Sequence, residues 1–299
     1  MKILVIHPWG LGDLIMATPM LKSLKLSGHK VDLAIFSKSL ETLLKENNFL
    51  ENIYLIKSYK DYLKFFGKYD ILVATAGVNP RKIKILNLFV MAKKVFAKKQ
   101  EKDIHRIKMN LKIVSNLLTK TTKEPYIFIK DSDAYKKYFS KEKKNIAFAV
   151  GSGSKQKFKR WNGFRDVIKV LQGRFNILVF IGADEVDLEK EYEDLEVKII
   201  KEHLEDVVSI VSKLDLLVGN DNGIMHIGYA TKVNTVTIFG MTNEKETGSY
   251  RKNSEAVFVK NLECRPCFDP STDKIGCFTL ECLKYIQAKE VVSKCLKFL

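Results

Sequence analysis

Short apolar runs, each ending in a glycine or polar turn and each followed by a longer stretch of helical period, recur along this sequence. Parallel α/β units answer to that pattern, because parallel strands are joined by crossover helices that cover both faces of the sheet. In the first half the runs predict strands at 2–7, 31–36, 53–56, 71–75 and 95–97, with helices such as 14–27 and 105–118 between them. The segment "NLLTKTTKEPYIFIKDSDAYKKYFSKEKKN" interrupts the rhythm with polar residues, a proline and a lysine-rich run, and reads as a link. Alternation then restarts in "NIAFAVGSGS", "FNILVFIGADE", "EVKIIK", "LDLLVGNDNG" and "NTVTIFGMT". At 299 residues the chain exceeds the usual size of one domain. The reading is α/β with two doubly wound domains, 1–143 and 144–299, the second carrying a cysteine-rich segment at 264–282.

A 46% hydrophobic content with 29% charged residues excludes a disordered chain. Runs such as "ILVFIGA" have strand length and fall far below the roughly 20 apolar residues of a membrane span. Met1 leads straight into a strand, so no signal peptide is expected, and the expectation is a cytoplasmic enzyme. The net charge of +16 favours anionic partners such as nucleic acid, a phospholipid surface or a phosphorylated substrate, against the plainer reading of lysines spread over solvated faces. A nucleic-acid-binding protein is the alternative from another class, but the lysines are dispersed and lack the interleaved stacking aromatics of a single-strand track.

In open α/β sheets ligands bind beyond the carboxyl ends of the strands, where the winding reverses. Candidate residues fall at such ends. "GLGDLI" fails as a dinucleotide fingerprint, because Ile15 replaces the third glycine after Gly10 and Gly12, and Asp13 would repel a pyrophosphate. Asp13 is either an N-cap for the helix at 14–27 or a carboxylate placed for chemistry. "VGSGSKQKFKRWNGF" offers glycines, hydroxyls and cations after a strand, so Ser152, Gly153, Ser154 and Lys159 are candidates for holding a diphosphate. In "GADE", Glu185 is a candidate ribose acceptor, with a helix cap by Asp184 an equal reading. "LLVGNDNGIMHIGYA" runs strand, turn, helix, placing the amides of Asn222 and Gly223 where they contact a phosphate and Asp221 where it orients that loop; for His226 alone, a buried core histidine is preferred. Cys264, Cys267, Cys277 and Cys282 form a C-x2-C-x9-C-x4-C set that suits a structural zinc or iron ion, free thiols packing a compact loop being the competing reading.

The order and spacing of "GLGDLIMATPMLKSLK", "HRIKMNL", "GSGSKQKFKRW", "GNDNGIMHIGYATKVNTVTIFGMTNEKETGSY" and "CRPCF" resemble the heptosyltransferase-type glycosyltransferases of family 9, among them the ADP-heptose:lipopolysaccharide heptosyltransferases. The resemblance covers nearly the whole chain. It implies a GT-B fold, two Rossmann-like domains facing across a cleft, the first binding the acceptor and the second the nucleotide sugar. It implies an inverting, metal-independent transferase that needs no cofactor for catalysis and moves a heptosyl residue from ADP-heptose, or another nucleotide sugar, to an anionic lipid A-core glycolipid or related acceptor. Asp13 matches the family's general base and Lys159 its phosphate-binding lysine, while Ser152, Gly153 and Ser154 match the turn before it. Glu185 matches the ribose-binding acid, and the stretch Asp221, Asn222, Gly223, Ile224, Met225 and His226 matches the D-[TS]-G-x-x-H segment. Three departures stand out: Asn222 replaces Thr or Ser, turning a hydroxyl contact to phosphate into an amide contact, Asn162 stands where a proline is usual, and the spacing from Cys267 to Cys277 is long. The positive charge then fits a peripheral position at the anionic inner face of the inner membrane, with no nucleic acid as partner.

Overall fold

The computed structural model describes residues 1–182, 185–249, 251–269, 274–277 and 279–299, with the side chains of Ser154 and Lys155 outside the description. Among these residues the chain divides into two compact units, Met1–Phe128 and Ile129–Leu299.

Unit 1 is built on a parallel sheet of β1 (Lys2–His7), β2 (Lys30–Ile35), β3 (Asn52–Leu55), β4 (Ile71–Ala74) and β5 (Lys94–Phe96), in the order β3-β2-β1-β4-β5. The winding therefore reverses between β1 and β4, whose partners run Ile3–Ile71 to Ile6–Ala74. Apolar residues continue without alternation through β1 because both faces are covered, and Ile3 to Ile6 are buried. The first helix, α1 (Leu11–Leu26), begins three residues earlier than its apolar period suggests, because Gly10 is the N-cap and its carbonyl accepts from Leu14 N–H at 3.1 Å. Asp13 is therefore a first-turn residue and not the cap. The helix α2 (Pro80–Val90) has Pro80 at its first position and Asn79 as cap, its side chain accepting from Arg81 N–H. The next helix, α3 (Arg106–Ile113), stops short of 118 because Val114 leaves the helical conformation.

Unit 2 repeats the plan with β6 (Asn145–Ala149), β7 (Asn176–Phe180), β8 (Lys198–Ile200), β9 (Leu216–Asn220), β10 (Thr235–Ile238) and β11 (Ser254–Val257), in the order β11-β10-β9-β6-β7-β8. Counted from β6, this is the unit 1 winding with one more strand, and it reverses between β6 and β9. The helices α4 (Phe164–Leu171), α5 (Leu204–Ser212) and α6 (Gly223–Thr231) alternate with these strands. A core of Phe148, Trp161, Phe164, Ile168, Val179 and Val218 lies against the sheet.

The boundary lies at 128/129 where the sequence reading put it at 143/144, and the linking segment explains the difference by where its hydrogen bonds go. Its first part is laced to unit 1, with Tyr126 N–H on Thr18 Oγ1 at 2.8 Å and Phe128 N–H on Leu43 O at 2.8 Å. Its second part belongs to unit 2, with Ser132 Oγ donating to Asp206 at 2.7 Å and Tyr138 OH to Glu202 at 2.5 Å. A polar composition here serves two sets of anchors and not a free linker.

Candidate active site

Each unit opens a crevice at its own switch point, and the chemistry-bearing residues collect there. In unit 1, β1 delivers His7 and then the turn into α1, while β4 delivers Thr75, Ala76 and Gly77. His7 Nε2 lies 3.4 Å from Gly10 O, an acceptor only, so Nε2 carries the hydrogen and Nδ1 accepts from Thr75 Oγ1 at 3.2 Å. Burial pushes the His7 pKa down from 6.5 to about 4, against the opposing pull of Asp13. The imidazole is thus a neutral brace between the two strand ends.

Asp13 meets Arg106. The guanidinium Nε is 3.3 Å from Asp13 Oδ1, an ion pair without hydrogen-bond alignment, and Nη1 donates to Ala76 O at 3.2 Å. The Arg106 side chain is 7% exposed against 32% for Asp13, so the cation is built in and the carboxylate remains reachable. Trp9 Nε1 also donates to Ala76 O, at 3.0 Å, and Asn110 closes the floor by accepting from Ala76 N–H at 2.8 Å and donating to Met16 O at 3.2 Å. Gly77 is required there: its φ is +90°, and a Cβ would come within 2.7 Å of Arg106 Nη1. Such a carboxylate can take a proton from a hydroxyl delivered to it, while the arginine holds it in place.

In unit 2 the loop after β6 and the turn after β9 are stitched together by asparagines. Asn220, fully buried, accepts from Trp161 N–H at 3.0 Å and donates to Val150 O at 2.7 Å. Asn222 caps α6 by accepting from Ile224 and Met225 N–H, and its Nδ2 donates to Ala149 O at 3.1 Å and Gly151 O at 2.8 Å. The side-chain amide expected to touch phosphate is therefore spent on the protein itself. Ile224 and Met225 contribute backbone amides at the start of α6, and the Met225 side chain belongs to the core.

Glu185 is likewise engaged from within. Its Oε1 accepts from Ser152 N–H at 2.8 Å, Gly153 N–H at 2.9 Å and Arg160 Nη2 at 2.9 Å. One oxygen of the buried carboxylate fills the amide nest of the glycine loop. Gly151 makes room for it, since a Cβ there would fall 2.0 Å from Glu185 Oε2. Ser152 Oγ donates to Gln156 O at 2.7 Å, and Lys159 Nζ lies 4.0 Å above the Phe268 ring. Asp221 faces Thr247 Oγ1 at 3.3 Å and His226 Nε2 at 3.8 Å, with His226 buried edge-on to Tyr229. The Ser154 side chain and Asp184 lie outside the described residues.

The four cysteines do not form the metal site expected of them: among the described residues, no group of three or more His, Cys, Asp and Glu side chains could hold an ion. Cys264 is exposed, while Cys282 is buried beneath Gly240. Burial raises the Cys267 thiol, which is also hydrogen-bonded with Cys277, and pushes Cys282 to about 11, with the neighbouring cysteines adding to both. The segment is pinned by Cys267 N–H on Met241 O at 3.0 Å and by Arg265, which donates to Thr242 O at 2.8 Å and pairs with Glu244 at 2.9 Å.

Sequence reasoning missed His7, Thr75, Arg106, Asn110, Arg160 and Asn220. Three of these sat in stretches already singled out, Arg106 in "HRIKMNL", Arg160 in "KRW" and Asn220 in "GNDNG".

The family model for glycosyltransferase family 9 (heptosyltransferase) matches residues 84–276. Lipooligosaccharide heptosyltransferase 2 of Campylobacter jejuni is 25% identical over 99% of both chains. Among solved structures, a family 9 glycosyltransferase from Veillonella parvula has a TM-score of 0.79 at 18% identity, covering 99% of this chain and 96% of that one. The ADP-heptose lipopolysaccharide heptosyltransferase II of E. coli has a TM-score of 0.74 at 15% identity, covering 100% and 98%. These likenesses agree with the doubly wound units in giving the GT-B fold class. With the family model spanning well over half of its length, the chain belongs to glycosyltransferase family 9 and is a glycosyltransferase.

Proposed function

We propose that this protein moves a heptosyl residue from ADP-heptose to the core of a lipopolysaccharide or lipooligosaccharide, by one inverting displacement that uses no metal. Unit 1 takes the acceptor and unit 2 the nucleotide sugar. Asp13 accepts the proton of the acceptor hydroxyl as its oxygen bonds to the anomeric carbon. The bond from that carbon to the diphosphate oxygen breaks, and ADP leaves with the electron pair. Lys159 and the Gly223 amide at the α6 start neutralise the departing charge. Arg106 keeps Asp13 aimed.

One observation carries this reading: at the unit 1 switch point an accessible carboxylate is held by a buried arginine, where a phosphate-binding crevice would carry no acid. The relatives named above supply the substrate class. The work would be done in the cytoplasm, at the inner face of the membrane that holds the glycolipid.

The test is Asp13→Asn, assayed by transfer and by calorimetric donor binding. The variant is expected to bind the donor as the parent does and to lose turnover by roughly 10²–10⁴-fold. Full activity would remove Asp13 from the chemistry. Titration with ADP-heptose, UDP-sugars and GDP-sugars checks the donor, and tightest binding of a UDP-sugar would replace the nucleotide while leaving the fold and the base in place.

A further inference from the structure

We propose that the outward face of α2, together with the adjoining turn at Tyr59–Phe65, is a docking surface for an anionic lipid bilayer. The proposal deepens the functional reading, on which its purpose rests, by naming the face that meets the membrane.

The α2 helix carries two apolar stripes. Ile83, Leu86 and Val90 point inward and join Tyr62, Phe65 and Val78 in the core of unit 1. Ile85, Leu88 and Phe89, spaced i, i+3, i+4, share the opposite face, and Ile85 and Leu88 are 61% and 69% exposed. A helix lying on a water-facing surface turns polar residues outward, so a second apolar stripe needs a partner. The patch continues past the helix. Met91, in left-handed conformation at the C-cap, is exposed, and so are Tyr59, Leu63 and Phe66 on the neighbouring turn. Gly67 N–H donates to Val90 O at 2.9 Å, which holds the two elements side by side. Among the described residues, exposed large apolar side chains are concentrated here more than anywhere else in the chain.

The rim selects the occupant. Between residues 57 and 94 the sequence holds nine cationic side chains, among them Lys60, Lys64, Arg81, Lys82 and Lys84, against two carboxylates. Both carboxylates are already engaged, Asp61 by the amides of Lys57 and Ser58 and Asp70 by Lys93 and the Lys2 amide. A second copy docked through the same face would set this basic rim against itself. An anionic lipid surface answers both features at once: apolar side chains enter the acyl boundary, and lysine stems lie along it with their ammonium groups among the headgroups.

The experiment is co-sedimentation of the full chain with vesicles of phosphatidylcholine alone and of phosphatidylcholine with an equal amount of phosphatidylglycerol. Binding is expected to the anionic vesicles, weakening with salt. Combined Ile85→Ser, Leu88→Ser and Phe89→Ser substitutions should reduce that binding at least about tenfold. Replacing Arg81, Lys82 and Lys84 by Glu should reduce it as strongly. These side chains are exposed, so the variants should keep the parent's thermal melt, and that control is run alongside. Equal binding to neutral vesicles, undiminished binding of the serine variant, or no binding by the parent would each overturn the proposal. So would concentration-dependent self-association of the parent that the serine variant abolishes while vesicles pellet neither, which would make the face a contact between copies. No sugar transfer enters the assay, so a failure here leaves the Asp13 reading standing, and an active Asp13→Asn enzyme leaves this surface standing.

Discussion

His7 offers the sharpest test of how the unit 1 crevice is built. The imidazole is completely buried between the ends of β1 and β4, and burial lowers its pKa from 6.5 to about 4. Because the folded value lies below the unfolded one, the unfolded chain binds the extra proton first as pH falls. Stability is therefore undiminished above about 6.5 and is lost progressively as pH drops toward 4. With 1.36 kcal/mol per pKa unit, the full loss from this one residue is about 3 kcal/mol, of which about 2 kcal/mol falls between pH 7 and pH 5. Replacing His7 by Gln keeps a polar side chain for Thr75 and removes the titration. The chain has two tryptophans, Trp9 beside this crevice and Trp161 in unit 2, so a Trp161→Phe background makes Trp9 fluorescence the reporter of unit 1. Urea unfolding at a series of pH values should show the parent losing about 2 kcal/mol more than the His7→Gln variant from pH 7 to pH 5. Parallel curves for the two proteins would mean that protonated His7 is accommodated in the folded state, and the account of the brace would fall.

Two further outcomes are expected. Gly151→Ala should drive the Glu185 carboxylate out of the loop amides, since the added Cβ would sit 2.0 Å from Oε2; the cost is about 2 kcal/mol in urea unfolding with weaker donor binding by calorimetry, and an unchanged protein would show that the carboxylate shifts freely. Arg106→Met should leave donor affinity as it is and lower kcat roughly tenfold or more, with partial recovery in Arg106→Lys, because the ion pair to Asp13 is lost while the buried volume is kept.

The architecture was legible where apolar runs are long and unbroken. The strand at Lys2–His7 was placed to the residue, and the other strands of unit 1 within a residue or so, because a buried parallel strand shows no alternation that blurs its limits. The short β11 strand, "SEAV", escaped notice since it pairs only along one edge and carries a charge. Asp13 was found, but its neighbours were not: the cap moved to Gly10, and the cation that defines the site comes from Arg106, far along the chain, which spacing cannot reveal. In unit 2 Glu185 and Asn222 both reach the 151–153 loop, where they hydrogen-bond the protein's own backbone, a use that depends on tertiary neighbours. The cysteines show the converse, where spacing suggested four ligands and, among the described residues, no group that could hold an ion forms.

That both sheets are wound alike has a bearing on how such a chain changes over time. Each switch-point crevice is furnished by its own strands and braced by its own buried polar side chains, His7 and Asn110 in one, Asn220 and Asn222 in the other. Substitutions that retune the recognition of one substrate can therefore accumulate without renegotiating the other. With acceptor and nucleotide sugar divided between the units as proposed, a lineage built on this plan can keep its sugar currency while trying new acceptors, or the reverse, one half at a time.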